Sequence, residues 1–373
     1  MKKYLIFEFK RAMEKTLPLE LRSLRKQCGY KMMDVVVRTG IDQALLSKFE
    51  KGSRLPTDEQ LKKLADCYLL DFSKLKVLAL AEKIYKILED EDMAAEALAL
   101  AEPRIQYLSQ AAAVHQLAIS ASTRQLLRSV DDLHKQWSSM AIPSGTQKQK
   151  MNEYFSVQYT YESNRIEGNT LSLGETMMVI KEGITISGKT VHEHLEAINH
   201  HEAIEMLYEW VKGYLPFNEH LLLQIHGLIL RGIDRANAGI YRKVEVRITG
   251  SEHLPPQPFM VPKLMEDYFL FYQKNAPGLH PVILAAEMHE RLVSIHPFID
   301  GNGRTARLVM NLILLSHGYP LVILKGDPAS RQRYYKALEQ VQVHGDAGPF
   351  HELLVSSMQN SLKEHIALTK QGV

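Results

Sequence analysis

One stretch of twelve residues, HPFIDGNGRTAR at positions 296–307, combines several side chains that could do chemistry together. His296 has an unperturbed pKa near ~6.5, so its imidazole can accept a proton from a hydroxyl group at neutral pH. Asp300 supplies a hard oxygen ligand, and Mg²⁺ usually needs only one or two protein carboxylates in addition to phosphates. Arg304 and Arg307 carry planar forks of donors that suit phosphate oxygens. These residue types predict a polyphosphate site beside a base.

A helix is predicted directly after this stretch, because apolar residues recur at helical spacing from Leu308 to Leu315. The DGNG turn therefore lies at the amino end of a helix, where unpaired backbone N–H groups bind anions. Gly301 and Gly303 allow the backbone to approach a phosphate closely. Each part alone also occurs as an ordinary turn, a structural histidine or a solvated helix face. Their combination predicts transfer from a nucleotide polyphosphate onto a hydroxyl group.

The stretch resembles the signature of the Fic family, HPFx(D/E)GNGRxxR, at every specified position, and the resemblance extends over roughly residues 110–365. Most members of that family transfer AMP from ATP to a Ser, Thr or Tyr hydroxyl of a protein, which implies ATP and Mg²⁺ as substrate and cofactor. The resemblance implies that His296 is the general base and that Asp300 is the Mg²⁺ ligand. It implies that Asn302 and the backbone of 301–303 surround the α- and β-phosphates. Arg304 would bind the phosphates, and Arg307 would bind the γ-phosphate. A sub-family that transfers phosphate instead has a lysine at the position of Gly303, so this glycine favours nucleotide transfer.

A second group of residues, ESNRIEGN at 162–169, follows a predicted helix. Ser163 and Glu167 are four residues apart and share one helix face, and Gly168 fits a C-cap. A carboxylate in the last turn opposes the helix dipole at a cost of about 0.3–1 kcal/mol, which a nearby cation would offset. An isolated glutamate at such a position is more often simply exposed to solvent. The segment resembles the inhibitory motif of the Fic family, however, which implies that Glu167 pairs with Arg307 and blocks the γ-phosphate position.

Residues 241–250, YRKVEVRITG, alternate apolar and polar side chains and predict a strand or hairpin in an otherwise helical region. The longer segment 239–262 resembles the Fic-family flap, a β-hairpin over the active site whose exposed edge can add the target segment as a strand. A hairpin that only covers the core is the alternative. Tyr334 and Tyr335 occupy a stretch where related sequences line the nucleotide base, which implies stacking on adenine, although tyrosines at helical spacing also occur in cores.

The first 80 residues carry 17 Lys and Arg against 10 Asp and Glu, a net charge of +7, which indicates a polyanionic partner. Residues 31–66 predict two helices joined by a turn at Gly40, with Asp42 as N-cap of the second. They resemble the Cro/C1 (XRE) class of helix-turn-helix domain over roughly 17–75, whose second helix enters the major groove of double-stranded DNA. The implied DNA contacts are Gln43, Ala44 and Lys48 at base edges and Lys51 and Arg54 at phosphates. A helical bundle that binds protein or scaffolds a dimer is the alternative.

The whole chain of 373 residues is predicted to be mainly α. Its predicted parts are a helix-turn-helix domain at 1–78, a helical connector at 79–146, and a Fic helical core with a β-hairpin flap and an inhibitory helix at 147–373. YLIFEF at 4–9 predicts a short strand, and its pairing with a second copy would support a homodimer. No apolar run approaches the roughly 20 residues that span a bilayer, so no membrane partner is expected. Cys28 and Cys67 lack metal-ligand spacing, which favours the reducing cytoplasm.

The leading hypothesis is an autoinhibited protein adenylyltransferase that modifies a protein hydroxyl. Self-modification is included, since tethered hydroxyls have a high effective concentration. Two alternatives remain open. One is a DNA-binding transcriptional regulator that uses the Fic fold as a nucleotide sensor. The other is transfer of a different phosphate-containing group, such as UMP or phosphate, by the same residues.

Overall fold

The three-dimensional structure, a computed structural model, describes residues 16–102, 119–140, 145–213 and 216–371. The chain divides into two compact units, Met1–Val114 and His115–Val373. The predicted strand at 4–9 lies outside the described residues, and the predicted domain boundaries stay a prediction. No helix in the described ranges is both long enough and apolar enough to cross a membrane.

The first unit is a set of short helices around one apolar core. Its helices are α1 (Leu17–Gln27), α2 (Met32–Thr39), α3 (Gln43–Glu50), α4 (Asp58–Cys67) and α5 (Phe72–Leu88). Gly40 ends α2 in a left-handed conformation with φ of 69°. Asp42 starts α3, where its carboxylate accepts a hydrogen bond from the Leu45 N–H at 2.9 Å. Phe49 from α3 and Leu61 from α4 belong to the shared core. The helix-turn-helix prediction is confirmed.

The second unit is a larger helical assembly. Its helices are α6 (Ala121–Ser139), α7 (Thr146–Glu167), α8 (Leu173–Glu182), α9 (Val191–Lys212), α10 (Glu219–Ile229), α11 (Val261–Asn275), α12 (Pro281–Ile295), α13 (Asn302–Ser316), α14 (Pro328–His344) and α15 (Gly348–Gln371), with a 3₁₀ turn at Pro258–Met260. Helix α6 packs along α15, α12 packs along α13, and α7, α9 and α10 also contact α13. The prediction of a mainly α fold is confirmed.

Residues 239–262, predicted as a β-hairpin flap, do not form a hairpin. The last five of them are the 3₁₀ turn Pro258–Met260 and the start of α11, and residues 239–257 are called the flap segment below. Residues 241–250 run as extended chain and turns, and no strand pairing forms between them. The guanidinium of Arg242 donates to the carbonyl oxygens of Val244 and Pro256 at 3.0 and 2.5 Å. One side chain therefore joins the two arms of the loop, in place of the ladder of backbone hydrogen bonds that a hairpin requires.

Two buried helices carry the HPFIDGNGRTAR stretch. Helix α12 begins with Pro281, whose fixed φ suits a first helical position, and it ends at Ile295. Helix α13 begins at Asn302, so residues 296–301 form the loop between the two helices. Most side chains of both helices are buried, because other helices pack around them. The loop is therefore held at both ends by well-packed structure.

His365 on α15 gives a first testable prediction. Its ring stacks on Phe155 with the centroids 3.5 Å apart, its Nδ1 donates to the Ser361 carbonyl at 2.8 Å, and burial lowers its pKa to about 4. The pKa of an unfolded-chain histidine is near ~6.5, so this group stabilises the fold above that pH and its contribution is lost as the pH falls. We expect the wild type to lose about 1 kcal/mol more unfolding free energy than His365→Gln between roughly pH 7 and pH 5.5. Urea unfolding of both proteins at both pH values measures this difference, and parallel pH dependence would contradict it.

Candidate active site

The loop between α12 and α13 is shaped by hydrogen bonds within the motif itself. His296 adopts a left-handed backbone conformation, with φ of 50°, which is uncommon for a residue other than glycine and needs support. The Asn302 side chain accepts from the Phe298 N–H at 3.0 Å and donates to the Phe298 carbonyl at 2.9 Å. Both polar ends of Asn302 are thus used to close the turn, and the backbone of 301–303 remains as the candidate phosphate cradle.

His226 on α10 also supports this loop, and sequence reasoning did not find it. Its ring stacks on Phe298 with the centroids 3.6 Å apart. Its Nδ1 accepts from the Gly239 N–H at 2.9 Å, and its Nε2 donates to the Asp300 carbonyl at 3.0 Å. Burial lowers the pKa of His226 to about 4, so the ring stays neutral, as this pattern of one donor and one acceptor requires.

His296 is held in one tautomer. Its Nδ1 lies 3.2 Å from the Val293 carbonyl oxygen, which can only accept, so Nδ1 carries the proton. Nε2 then presents a lone pair, and no hydrogen bond to it is formed within the described part of the chain. Burial lowers the pKa of His296 to about 4. At neutral pH the imidazole is therefore uncharged, and it can accept a second proton at Nε2.

Arg304, in the first turn of α13, lies between two carboxylates. Its Nη1 donates to Glu196 at 2.6 Å, and its Nη2 donates to Asp300 at 3.3 Å. Glu196 also accepts from the Asn169 side chain at 2.9 Å. The Arg304 side chain is only 3% exposed, so the acidic partners offset the cost of burying its charge. Sequence reasoning missed Glu196, because the two residues are 108 positions apart and no local pattern marks it.

Arg307 is fully buried, and the predicted inhibitory segment surrounds it. Its Nε donates to Ser163 Oγ at 2.9 Å, and its Nη2 donates to the Ser163 carbonyl at 2.9 Å and to Glu167 Oε1 at 2.7 Å. Burial by itself lowers the pKa of Arg307, but the Glu167 carboxylate outweighs it and keeps the pKa above its ordinary value. The structure thus brings together the two motif segments that the sequence analysis paired.

Glu167 lies directly against the amino end of α13. A Cβ atom added to Gly303 would be 3.3 Å from the Glu167 carboxylate carbon and 3.1 Å from Arg307 Nη1. The carboxylate therefore occupies the space beside a glycine backbone where an anion would meet the helix N-terminus. It is also close enough to His296 to act on the pKa of that histidine. A negative oxygen of the protein itself thus lies against the glycine backbone that is the candidate phosphate cradle.

The two predicted base-lining tyrosines lie in different environments. Tyr334 is buried, and its hydroxyl is 3.1 Å from His289 Nε2 and 3.5 Å from Arg307 Nη1. Tyr335 is 42% exposed, and its hydroxyl donates to the Ile166 carbonyl at 3.2 Å. Of the two rings, Tyr335 is the more exposed, and the Arg331 guanidinium lies over it at 5.5 Å from the ring centroid.

Mg²⁺ fits this site only together with a nucleotide. The Asp300 side chain is 57% exposed and stands beside the candidate phosphate cradle. Within the described ranges, no cluster of three or more His, Cys, Asp or Glu side chains could hold a metal by itself. Since Mg²⁺ commonly binds one or two carboxylates plus substrate phosphates and waters, a lone Asp300 is a chemically sufficient protein ligand.

The predicted DNA-contact residues share a surface of the first unit. Gln43, Ala44 and Lys48 on α3 are exposed, while Leu46 and Phe49 of the same helix are buried. Two further predicted contacts, Lys51 and Arg54, are exposed in the segment that follows α3. Helix α3 therefore has one buried face and one exposed face, as the predicted groove contact would require.

A Fic-type domain combined with a helix-turn-helix domain is the class that this fold and site define. A family model described as the Fic/DOC family matches residues 216–314, and one described as a helix-turn-helix domain matches residues 17–74. The chain therefore carries a Fic domain and an amino-terminal helix-turn-helix domain.

Curated relatives that match this chain carry the name protein adenylyltransferase. "Protein adenylyltransferase Fic" of Nematostella vectensis is 34% identical over 66% of this chain and 57% of its own length. "Protein adenylyltransferase fic-1" of Caenorhabditis elegans is 32% identical over 68% of this chain and 49% of its own length. The chain thus spans about half the length of the curated relatives it matches.

Solved structures share the fold. A Fic-domain-containing signaling protein from Bacteroides thetaiotaomicron is 28% identical with a TM-score of 0.61, and the match covers 65% of this chain and 97% of that chain. A structure of Fic-1 from C. elegans is 26% identical with a TM-score of 0.61, covering 92% of this chain and 98% of that chain.

Proposed function

We propose that the second unit is an autoinhibited protein adenylyltransferase, which transfers AMP from ATP to a Ser, Thr or Tyr hydroxyl of a protein. The observation that carries the proposal is the Glu167 carboxylate, which is paired with Arg307 against Gly303 near a neutral His296. This arrangement has a base, a phosphate cradle and a removable internal anion. The names of the relatives from N. vectensis and C. elegans support the same activity.

The proposed reaction is an in-line displacement at the α-phosphorus. His296 Nε2 takes the proton of the target hydroxyl as the hydroxyl oxygen forms a bond to that phosphorus. The bond from the α-phosphorus to the oxygen bridging to the β-phosphorus breaks, and pyrophosphate leaves with the electron pair. Backbone N–H groups at the start of α13 and the guanidiniums of Arg304 and Arg307 stabilise the charge on the phosphates. Mg²⁺, held by Asp300 and the phosphates, would supply further charge neutralisation.

Autoinhibition follows from competition for one position. The γ-phosphate needs Arg307, whose Nη2 is bound by Glu167 at 2.7 Å. A second negative group at the same place would repel the carboxylate, so productive ATP binding requires Glu167 to move away. Ser163 binds Arg307 through both its hydroxyl and its carbonyl, which we infer holds the arginine in place after Glu167 leaves.

Labelled nucleotide distinguishes the proposed activity from its alternatives. The Glu167→Gly protein is incubated with Mg²⁺ and ATP labelled at either the α- or the γ-phosphate, with and without cell lysate. Label from the α-position on protein supports AMP transfer, and label only from the γ-position supports phosphate transfer. Mass spectrometry of the labelled chains then identifies the group and its acceptor, including acceptors on this chain itself. Absence of label from both positions would contradict the proposed function.

We also propose that the first unit binds double-stranded DNA, so that the enzyme is coupled to a DNA site. The exposed face of α3, which contains Gln43, Ala44 and Lys48, favours this second function. Lys51 and Arg54 would contact phosphates on either side of the groove. The free thiols of Cys28 and Cys67 are compatible with the reducing cytoplasm, where we locate the protein. The alternative is a transcriptional regulator whose Fic domain senses a nucleotide. Such a protein would bind DNA but would not catalyse transfer.

Three substitutions test the DNA interface. We expect Lys51→Gln and Arg54→Gln to weaken binding of all duplexes similarly and to reduce the salt dependence by about one phosphate contact each. Gln43→Ala should instead change the preferred sequence, because Gln reads a base edge. Gel shifts of random genomic fragments at several salt concentrations measure both effects. Lys212→Gln, an exposed lysine paired with Glu209 in the second unit, is the matched control. Unchanged DNA binding in all three variants would contradict the proposal that the first unit binds DNA.

A further inference from the structure

Arg242 is a buried arginine that joins three segments of backbone through its guanidinium. Its Nε donates to the His296 carbonyl at 2.7 Å, its Nη1 to the Val244 carbonyl at 3.0 Å, and its Nη2 to the Pro256 carbonyl at 2.5 Å. Its own backbone N–H donates to the Pro297 carbonyl at 2.9 Å. A single residue thus fastens the two arms of the flap segment to the first two residues of the catalytic loop.

The positive charge of the Arg242 guanidinium is buried, and it is satisfied in an unusual way. The residue is 3% exposed, and no ion pair to its guanidinium is formed in the part of the chain that the structure describes. Burial accordingly lowers the pKa of Arg242. The Glu245 carboxylate opposes this lowering of the pKa, although it forms no ion pair with the guanidinium. A buried guanidinium without a hydrogen-bonded carboxylate is costly unless other acceptors satisfy it. Here three carbonyl oxygens do so, and a rigid planar fork is the side chain best suited to reach all three.

Arg242 contacts His296, whose backbone conformation needs support from neighbouring groups. His296 is in the left-handed region at φ of 50°, where a side chain with a Cβ is strained. On one side its imidazole is bound to the Val293 carbonyl, and on the other its own carbonyl is bound to Arg242. Rotation of the backbone at this position would break the bond to Arg242 and re-aim Nε2.

We propose that Arg242 is a positioning residue that holds His296 and the flap segment as one unit. This proposal deepens the proposed function and rests on it. A target segment docked along the flap segment would then deliver its hydroxyl to Nε2 in a fixed geometry, because Arg242 links the docking backbone to the base. The residue acts through His296, since its guanidinium and backbone donate to carbonyls that lie outside the candidate phosphate cradle of residues 301–303.

The test uses the 373-residue Glu167→Gly protein with two further substitutions. Arg242→Lys keeps the positive charge but can no longer bridge three carbonyl groups, and Arg242→Gln removes the charge as well. We expect Arg242→Lys to lower kcat for self-labelling from α-labelled ATP by about tenfold to a hundredfold, since misplacement by about 1 Å has effects of that size. The KM for ATP should change less than about twofold, because the phosphate cradle is untouched. Arg231→Lys, at an exposed arginine paired with Glu202, is the matched control and should match the parent in both constants.

A second readout does not depend on turnover. NMR of labelled histidine follows the His296 ring, which is assigned by its loss in His296→Ala. We expect both Arg242 variants to shift this resonance, and Arg242→Gln to raise the His296 pKa, because Arg242 contributes to lowering it and the loop opens to water. If the Glu167→Gly parent transfers nothing, the proposed function fails while this measurement still tests the positioning role.

Three outcomes overturn the inference. One is self-labelling by Arg242→Lys within twofold of its parent, because the geometry of the three bonds would then be irrelevant. Another is a His296 resonance and pKa identical in all three proteins. The third is an equal loss of ATP affinity and of kcat in a variant whose thermal melting matches that of its parent, because Arg242 would then act on the nucleotide site and not on His296 alone.

Discussion

Replacing Glu167 with glycine should raise AMP transfer by about 10- to 150-fold. The carboxylate is held on Arg307 by a charge-assisted hydrogen bond of 2.7 Å, and such bonds contribute about 1.5–3 kcal/mol. Every 1.4 kcal/mol corresponds to about a tenfold change in the population of an open site. Removal of the side chain frees Arg307 and the space beside Gly303 together. The initial rate of label transfer from α-labelled ATP to protein, compared between wild type and variant, measures the effect.

A matched substitution on the same helix separates inhibition from helix destabilisation. Glu153 also lies on α7 and pairs with Lys181 at 2.8 Å, far along the helix from its last turn. Glu153→Gly introduces the same flexible residue and removes the same type of charge, so the wild-type rate is expected. Glu167→Gln keeps the shape of the side chain without the charge and should give an intermediate rate. Equal rates of AMP transfer by wild type and Glu167→Gly would contradict autoinhibition by Glu167.

Loss of the imidazole at position 296 should have the largest effect. In the Glu167→Gly background, His296→Ala is expected to lower AMP transfer by about 10²- to 10⁴-fold, the usual contribution of a positioned general base. Nucleotide affinity should remain within about threefold, because the phosphates are bound by α13 and its arginines. Transfer rates under saturating ATP and titration with a fluorescent ATP analogue measure the two quantities separately.

The control for this substitution is an exposed histidine of the same unit. His220 on α10 is exposed, so His220→Ala should transfer AMP at the parental rate. If His296→Ala labels protein as fast as its parent, the imidazole is not the base and the reaction needs another proton acceptor. If it fails to bind nucleotide, the loop rather than the chemistry has been lost.

Local patterns were sufficient for much of the fold. The N-cap at Asp42, the left-handed glycines at 40 and 168, and the start of α13 after DGNG all depend on residues within about four positions of each other.

The flap segment was predicted less well. Its alternating side chains indicated a strand, but pairing depends on what the backbone carbonyls meet in space, and here they meet Arg242. Alternation alone does not specify a partner.

What the sequence by itself determined is the chemical inventory: a base, a carboxylate, a glycine-lined helix start and two arginines. This inventory follows from residue type and short spacing, because capping, helix faces and anion binding at a helix N-terminus are local effects. The inhibitory role of Glu167 and the DNA-contacting role of α3 are predictions that rest on family resemblance. The tertiary structure decided which charges meet, since Glu167 and Arg307 are 140 positions apart and Glu196 and Arg304 are 108 apart. It also decided that His296 is neutral and that Arg242 holds it, because burial and contacts between distant segments exist only once the helices have packed.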